Sequence, residues 1–127
     1  MKINLTNVFV EDQDKALEFY TEKLGFVKKQ DVPIGQFKWL TVASSENPEG
    51  TELLLEPNDN SLSKTFQKGI FEQGIAAASF EVDDIKTEHE KLEKLGVKFT
   101  MRPTEMGPVT IAMFDDTCGN LIQIMQK

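Results

Sequence analysis

The chain has 127 residues, of which 39% are hydrophobic and 28% charged, and its formal net charge is −7. This is the composition of one globular unit with a workable core, not of a disordered chain. The acidic balance excludes a nucleic-acid backbone partner, which needs a basic face, and no apolar run approaches the ~20 residues of a membrane span. A single cysteine, Cys118, leaves no internal disulfide, and Met1-Lys2-Ile3-Asn4 shows no signal-peptide pattern, so a cytoplasmic location is expected.

Residues 3–10 read as a strand. Asp12 then suits an N-cap for a helix over 13–24, with Ala16, Leu17, Tyr20 and Leu24 along one face and Gly25 as the C-cap. A strand follows at 26–31, a turn at Val32-Pro33-Ile34-Gly35, a strand from Phe37 to Ala43, a loop over 44–50 and a strand at 51–57. Residues 58–74 form a connector with a short helix near 63–72. The second half repeats the order: strand 75–82, helix 85–95, strand 97–102, turn 103–108, strand 109–115, a hairpin turn at Asp115-Asp116-Thr117-Cys118-Gly119-Asn120 and strand 120–126. The expected organisation is a single domain, 1–127, with module one at about 1–57 and module two at about 75–127.

The two halves also repeat in detail. Val10-Glu11-Asp12 opens one helix and Lys23-Leu24-Gly25-Phe26 ends it; Val82-Asp83-Asp84 and Lys94-Leu95-Gly96-Val97 do the same for the other. Asp12 and Asp84 are 72 apart, whereas Gly25 and Gly96 are 71 apart, so the first copy is one residue longer. Paired modules invite a cleft lined from both.

Alternation along the strands separates two kinds of face. Leu53 and Leu55, Ile122 and Ile124, and Ala78, Phe80 and Val82 make purely apolar sides for the helices to cover. The opposite side is mixed: Asn7, Trp39, Thr41, Glu52, Ser79, Thr110 and Gln123 among Leu, Phe, Ala and Met. A mixed face suits a concave ligand cavity better than it suits solvent or a second core.

These residues resemble the vicinal oxygen chelate superfamily, which holds glyoxalase I, extradiol dioxygenases, fosfomycin-resistance enzymes and bleomycin-binding proteins. The resemblance rests on Asp12, Ala16, Phe19-Tyr20 and Leu24-Gly25-Phe26, on Glu52-Leu53, and on Leu95-Gly96-Val97 and Asp116 with Gly119-Asn120, and it covers the whole chain. It implies an α+β fold of two tandem βαβββ modules forming a curved mixed-sheet cleft, and a homodimer. It does not name a chemistry, because the superfamily spans several.

Metal-dependent relatives hold a divalent ion with four inward side chains, two per module. The matching positions here are Leu5, Glu52, Ala77 and Gln123. Leu5 and Ala77 have no donor atom, so one carboxylate and one amide remain, too few for firm binding of zinc, nickel or iron. No cofactor is expected, and a divalent metal is disfavoured.

The expectation is a metal-independent small-molecule binding protein of the bleomycin-resistance type. Asn7, Trp39, Glu52 and Gln123 would be its ligand-binding residues, Glu52 and Glu56 supplying counter-charge to a cationic ligand and Trp39 with Phe37 a stacking wall. The alternative is a glyoxalase-like lyase or extradiol-type dioxygenase with further metal ligands. A third reading is a scaffold whose concave face is filled by Phe9, Phe37 and Phe114. No catalytic residue is assigned: His89, the only histidine, falls on the apolar face of its helix with Ile85, Leu92 and Leu95, and Cys118 has neither a partner histidine nor a C-x-x-C motif.

Overall fold

The computed structural model describes every residue, Met1–Lys127. Two compact units, Met1–Lys64 and Thr65–Lys127, each carry a four-stranded mixed sheet. The first contains β1 (Leu5–Val10), α1 (Gln13–Glu18), a π-helical turn (Phe19–Lys23), β2 (Val27–Ile34), β3 (Phe37–Ala43) and β4 (Glu52–Pro57). Its strand order is β1-β4-β3-β2, with β1 parallel to β4 and the other pairs antiparallel. Helix α2 (Ser61–Glu72) contains the point where the units divide. The second unit adds β5 (Ala78–Glu81), α3 (Ile85–Lys94), β6 (Lys98–Met106), β7 (Val109–Asp115) and β8 (Leu121–Gln126) in the matching order β5-β8-β7-β6.

The duplicated signature is a pair of helix caps. Asp12 Oδ1 accepts the Lys15 N–H at 3.1 Å, and Asp84 Oδ1 accepts the Thr87 N–H at 3.2 Å, each satisfying one amide that the first helical turn leaves unpaired. At the other ends Gly25 (φ +81°) and Gly96 (φ +89°) reverse the chain in the left-handed region that side chains disfavour.

The extra residue of the first copy is absorbed between these caps. Residues Phe19–Lys23 form a π turn in which the Leu24 N–H reaches back five residues to the Phe19 carbonyl. One inserted residue in a regular helix would rotate everything after it by about 100°. A π turn takes up that residue without the rotation, so both Phe19 and Tyr20, adjacent in sequence, are buried. The helix expected over 13–24 is therefore two segments, and Phe19 joins the buried face beside Ala16 and Tyr20 while Leu17 is half-buried.

Each helix covers the apolar side of its own sheet. Val8, Val10, Leu40, Val42, Leu53 and Leu55 are buried under α1 and its π turn, and Ala112, Phe114, Ile122 and Ile124 with Ile85 and Leu92 of α3 make the second core. Each large apolar side chain fully buried contributes about 1.5–3 kcal/mol. Gln13 ties α1 down further: its amide donates to the carbonyls of Lys38 and Leu55, both at 2.8 Å, and its oxygen accepts the Lys38 N–H.

Two expected turns lie further along. Pro33 and Pro103 sit inside β2 and β6, and the chain reverses at Gly35-Gln36 and at Gly107-Pro108. Both strands are edges of their sheets, where a proline's missing N–H removes no interior ladder bond. Thr110 and Phe114 also change sides. Thr110 pairs with Gln126 and Phe114 with Ile122, so both belong to the helix-covered face rather than the mixed one. Leu95, placed on the apolar face of α3, is the C-cap and is exposed.

The hairpin turn before β8 is a buried polar lock. Asp116 is fully buried; its Oδ1 accepts the N–H groups of Cys118 (2.8 Å) and Asn120 (3.0 Å), and its Oδ2 accepts the Asn120 side-chain amide (2.8 Å). Gln67 of α2 donates to the Cys118 carbonyl (3.0 Å) and to Asn120 Oδ1 (3.2 Å). The Asp-x-x-Gly-Asn pattern thus fixes the β7–β8 turn and anchors α2 to it. Gln67→Ala is expected to cost about 2 kcal/mol in urea unfolding, since it strands two buried acceptors. Lys68→Ala, one residue away and exposed, is expected to cost less than about 0.5 kcal/mol.

Candidate functional site

The mixed face of the first unit is built from alternate residues of all four strands. Leu5, Asn7 and Phe9 of β1 stand in register with Glu52, Leu54 and Glu56 of β4, and Thr41 of β3 stands beside Leu54. Trp39 and Phe37 follow Thr41 on the same side, opposite Val32 and Ile34 of β2. The sheet therefore brings Asn7, Trp39 and Glu52 onto one surface. Leu54, Thr41 and Ala43 are buried there, Glu52, Glu56, Trp39, Phe37 and Phe9 are half-buried, and Asn7 and Leu5 are exposed.

Glu52 is the most constrained polar group on this face. Its Oε1 accepts the Thr41 hydroxyl at 2.5 Å and the Gln30 side-chain amide at 2.8 Å. Thr41 is fully buried, so its hydroxyl is already committed in a low-dielectric setting. The Thr41 hydroxyl first, then the Gln30 amide, hold the Glu52 carboxyl below its ordinary value; desolvation opposes this and Lys29 adds a smaller attraction. A carboxylate with a lowered folded-state value is ionised at neutral pH, and its contribution to stability is lost as pH falls through that lowered value. Such a group is an acceptor, not a proton donor. Its second oxygen, Oε2, takes no hydrogen bond from the protein.

Asn7 does not join Glu52. Its amide donates to Glu56 Oε1 at 3.0 Å, giving a second polar pair further along β4. In the second unit, Gln123 donates to the Ser79 hydroxyl at 2.9 Å across the parallel β5–β8 pair, a bond within its own sheet. Of the residues read from the sequence, Thr41 was placed on the mixed face without its bond to Glu52, and Gln30 was missed entirely.

The donor set does not fit a resident divalent ion. Leu5 lies directly beside Glu52 and offers no lone pair, Ala77 immediately precedes β5, and no group of three or more His, Cys, Asp or Glu side chains converges anywhere in the chain. Glu52 Oε1 accepts two hydrogen bonds, and Gln123 donates through Nε2, which leaves its amide oxygen as the one lone-pair donor of the second unit's pair of positions.

Other reactive residues serve the fold. The His89 side chain is 14% exposed and packs edge-on against Phe99, with ring centroids 4.5 Å apart. Its Nε2 lies 3.4 Å from Glu93 Oε1, within ion-pair range, yet is buried without a well-aligned hydrogen bond. Cys118 is buried in the Asp116 turn. A groove of about 570 Å³ opens at the start of α3 among Asp83, Asp84, Lys86, Glu105, Thr110 and Gln126, and contains none of the expected ligand residues. Two of its polar groups are spent on the fold: Asp84 caps α3, and Gln126 Oε1 accepts the Ile85 N–H at 2.8 Å.

The sequence profile of the glyoxalase/bleomycin resistance protein/dioxygenase superfamily matches residues 2–124. An uncharacterized protein of Bacillus subtilis, YurT, is 61% identical over 127 residues, the whole of both chains. A probable lactoylglutathione lyase of Synechocystis sp. is 29% identical over 125 residues, 95% of this chain and 92% of that one. Among solved structures, TnmS3, an antibiotic binding protein from Streptomyces sp. CB03234, has a TM-score of 0.76 at 27% identity, covering 99% of this chain and 95% of that one. With its two βαβββ units, its duplicated caps and a match over nearly its full length, the chain belongs to the glyoxalase/bleomycin resistance protein/dioxygenase superfamily.

Proposed function

We propose that this protein binds a small organic molecule on the mixed face of its first unit without a metal ion. The observation that carries this reading is the Glu52 carboxylate, held by Thr41 and Gln30 at a position where metal-dependent relatives would use a ligand. A carboxylate kept ionised beside Leu5 and Ala43, on a face that also carries Leu54, Phe9 and Trp39, suits a ligand with an apolar body and a protonated amine or other strong donor. Asn7 supplies a further polar contact on that face, and Gln123 a candidate contact of its own on the face of the second unit. The similarity to an antibiotic binding protein supports the binding class. The family resemblance further leads us to propose a homodimer, for which light scattering would give twice the 14.3 kDa of the chain.

The similarity to a probable lactoylglutathione lyase favours a second reading, a metal-dependent lyase. It requires turnover that chelation abolishes. Under the binding reading no such turnover is found, and metal salts leave thermal stability unchanged.

Glu52→Gln keeps the shape of the side chain and removes its charge. It is expected to weaken cationic ligands about fivefold while leaving uncharged analogues within about twofold, as read by thermal shift or calorimetry. Equal loss for both kinds would refute the ionic form of the reading. The cationic preference is also expected to shrink as salt is raised. In the free protein, the carboxyl carbon of Glu52 is expected to titrate below the ordinary glutamate value in a pH series followed by NMR.

A further inference from the structure

We infer that Thr41 and Gln30 are positioning residues that do for Glu52 what a metal ion does in metal-dependent relatives: they fix one carboxylate oxygen and leave the other aimed at the ammonium group of a ligand. The inference rests on the binding reading above and adds to it the residues that set its specificity.

The geometry is specific. Two donors from two different strands, the Thr41 hydroxyl of β3 and the Gln30 amide of β2, converge on the same oxygen, Oε1. A free glutamate side chain samples several rotamers and presents both oxygens; two bonds to one oxygen remove that freedom. Oε2 remains without a protein donor on a half-buried side chain. Its surroundings on the face are apolar or neutral: Leu5 beside it on β1, Ala43 beside it on β3, and Leu54 two residues on. The cation that acts on it, Lys29, has its own partner in Glu49 at 3.2 Å. A fixed, ionised acceptor with no cation bonded to it on a partly apolar surface discriminates for a ligand ammonium and against a ligand carboxylate or phosphate.

Thr41 and Gln30 divide the task. Thr41 is fully buried and in the centre of the sheet, so it sets the position. Gln30 is exposed on the edge strand and closes the oxygen from the open side. Replacing Thr41 by Val keeps its volume and removes the donor, and Thr41→Ser restores a hydroxyl.

The test uses the full chain and two probes, 2-phenylethylamine and its uncharged N-acetyl derivative, with binding followed by NMR titration. Wild type is expected to favour the amine about fivefold, and Glu52→Gln to abolish the preference. Thr41→Val and Gln30→Leu together are expected to bring the preference below about twofold and to raise the Glu52 titration midpoint, while Thr41→Ser keeps both near wild type. If the double variant retains the preference and the midpoint while Glu52→Gln loses the preference, the positioning role is wrong and the ionic reading stands. If wild type binds neither probe, or Glu52→Gln changes nothing, the binding reading itself is wrong and this inference falls with it.

Discussion

Strand β2 carries one residue more than its neighbour β3 can pair. Lys28 stands opposite Val42 and Gln30 stands opposite Thr41, which leaves Lys29 as the extra residue of a bulge. Side chains alternate between faces, so without the bulge Gln30 would stand opposite Leu40 and share the helix-covered side. With it, Gln30 stands beside Thr41 on the mixed face, within 2.8 Å of Glu52. Beyond the bulge the same shift puts Val32 beside Trp39 and Ile34 beside Phe37, which makes one end of that face apolar. The site's polar centre and its apolar end both depend on this one-residue offset.

A second offset of one residue lies in the same unit, in the π turn at Phe19–Lys23. Both irregularities take up an extra residue locally and preserve the faces on either side. The second unit has no π turn, and its chain-reversing Gly96 comes twelve residues after the N-cap aspartate of α3. Its own edge strand, β6, carries register shifts between Phe99 and Thr104. The equivalent polar pair there is neutral, Gln123 with Ser79. The scaffold and its caps are therefore shared, while the two faces differ at this position: the constrained carboxylate Glu52 on the first, the neutral amide Gln123 on the second.

These features explain what could be read from residues alone. The caps at Asp12 and Asp84, the glycines that end the helices, the order β-α-β-β-β and the sides of Leu53, Leu55, Ile122 and Ile124 follow from local chemistry and strict alternation, and the structure has them in place. The one-residue excess of the first helix was visible as spacings of 72 and 71, although a count does not say which turn widens. Pro33 and Pro103 pointed to turns because a proline ends an interior strand; that both strands are edges is a property of the assembled sheet. Gln30 was invisible because the bulge is set by how β2 pairs with β3, and strict alternation along β2 would put Gln30 on the other side. Alternation groups Thr110 with Phe114 but does not say which face they take; their pairing with Gln126 and Ile122 of β8 settles it.

The same reasoning separates family membership from metal binding. A divalent ion needs several converging donors. Here Leu5 and Ala77 hold two of the four positions, and the remaining carboxylate has spent one oxygen on Thr41 and Gln30. Hydrogen bonds from neutral groups fix a carboxylate without neutralising it, so its charge stays available to a ligand. The most direct test is elemental analysis of the purified protein before and after incubation with nickel, zinc, manganese and iron(II), followed by removal of free ions. The account predicts that no ion is retained, whereas one ion held per chain would contradict it.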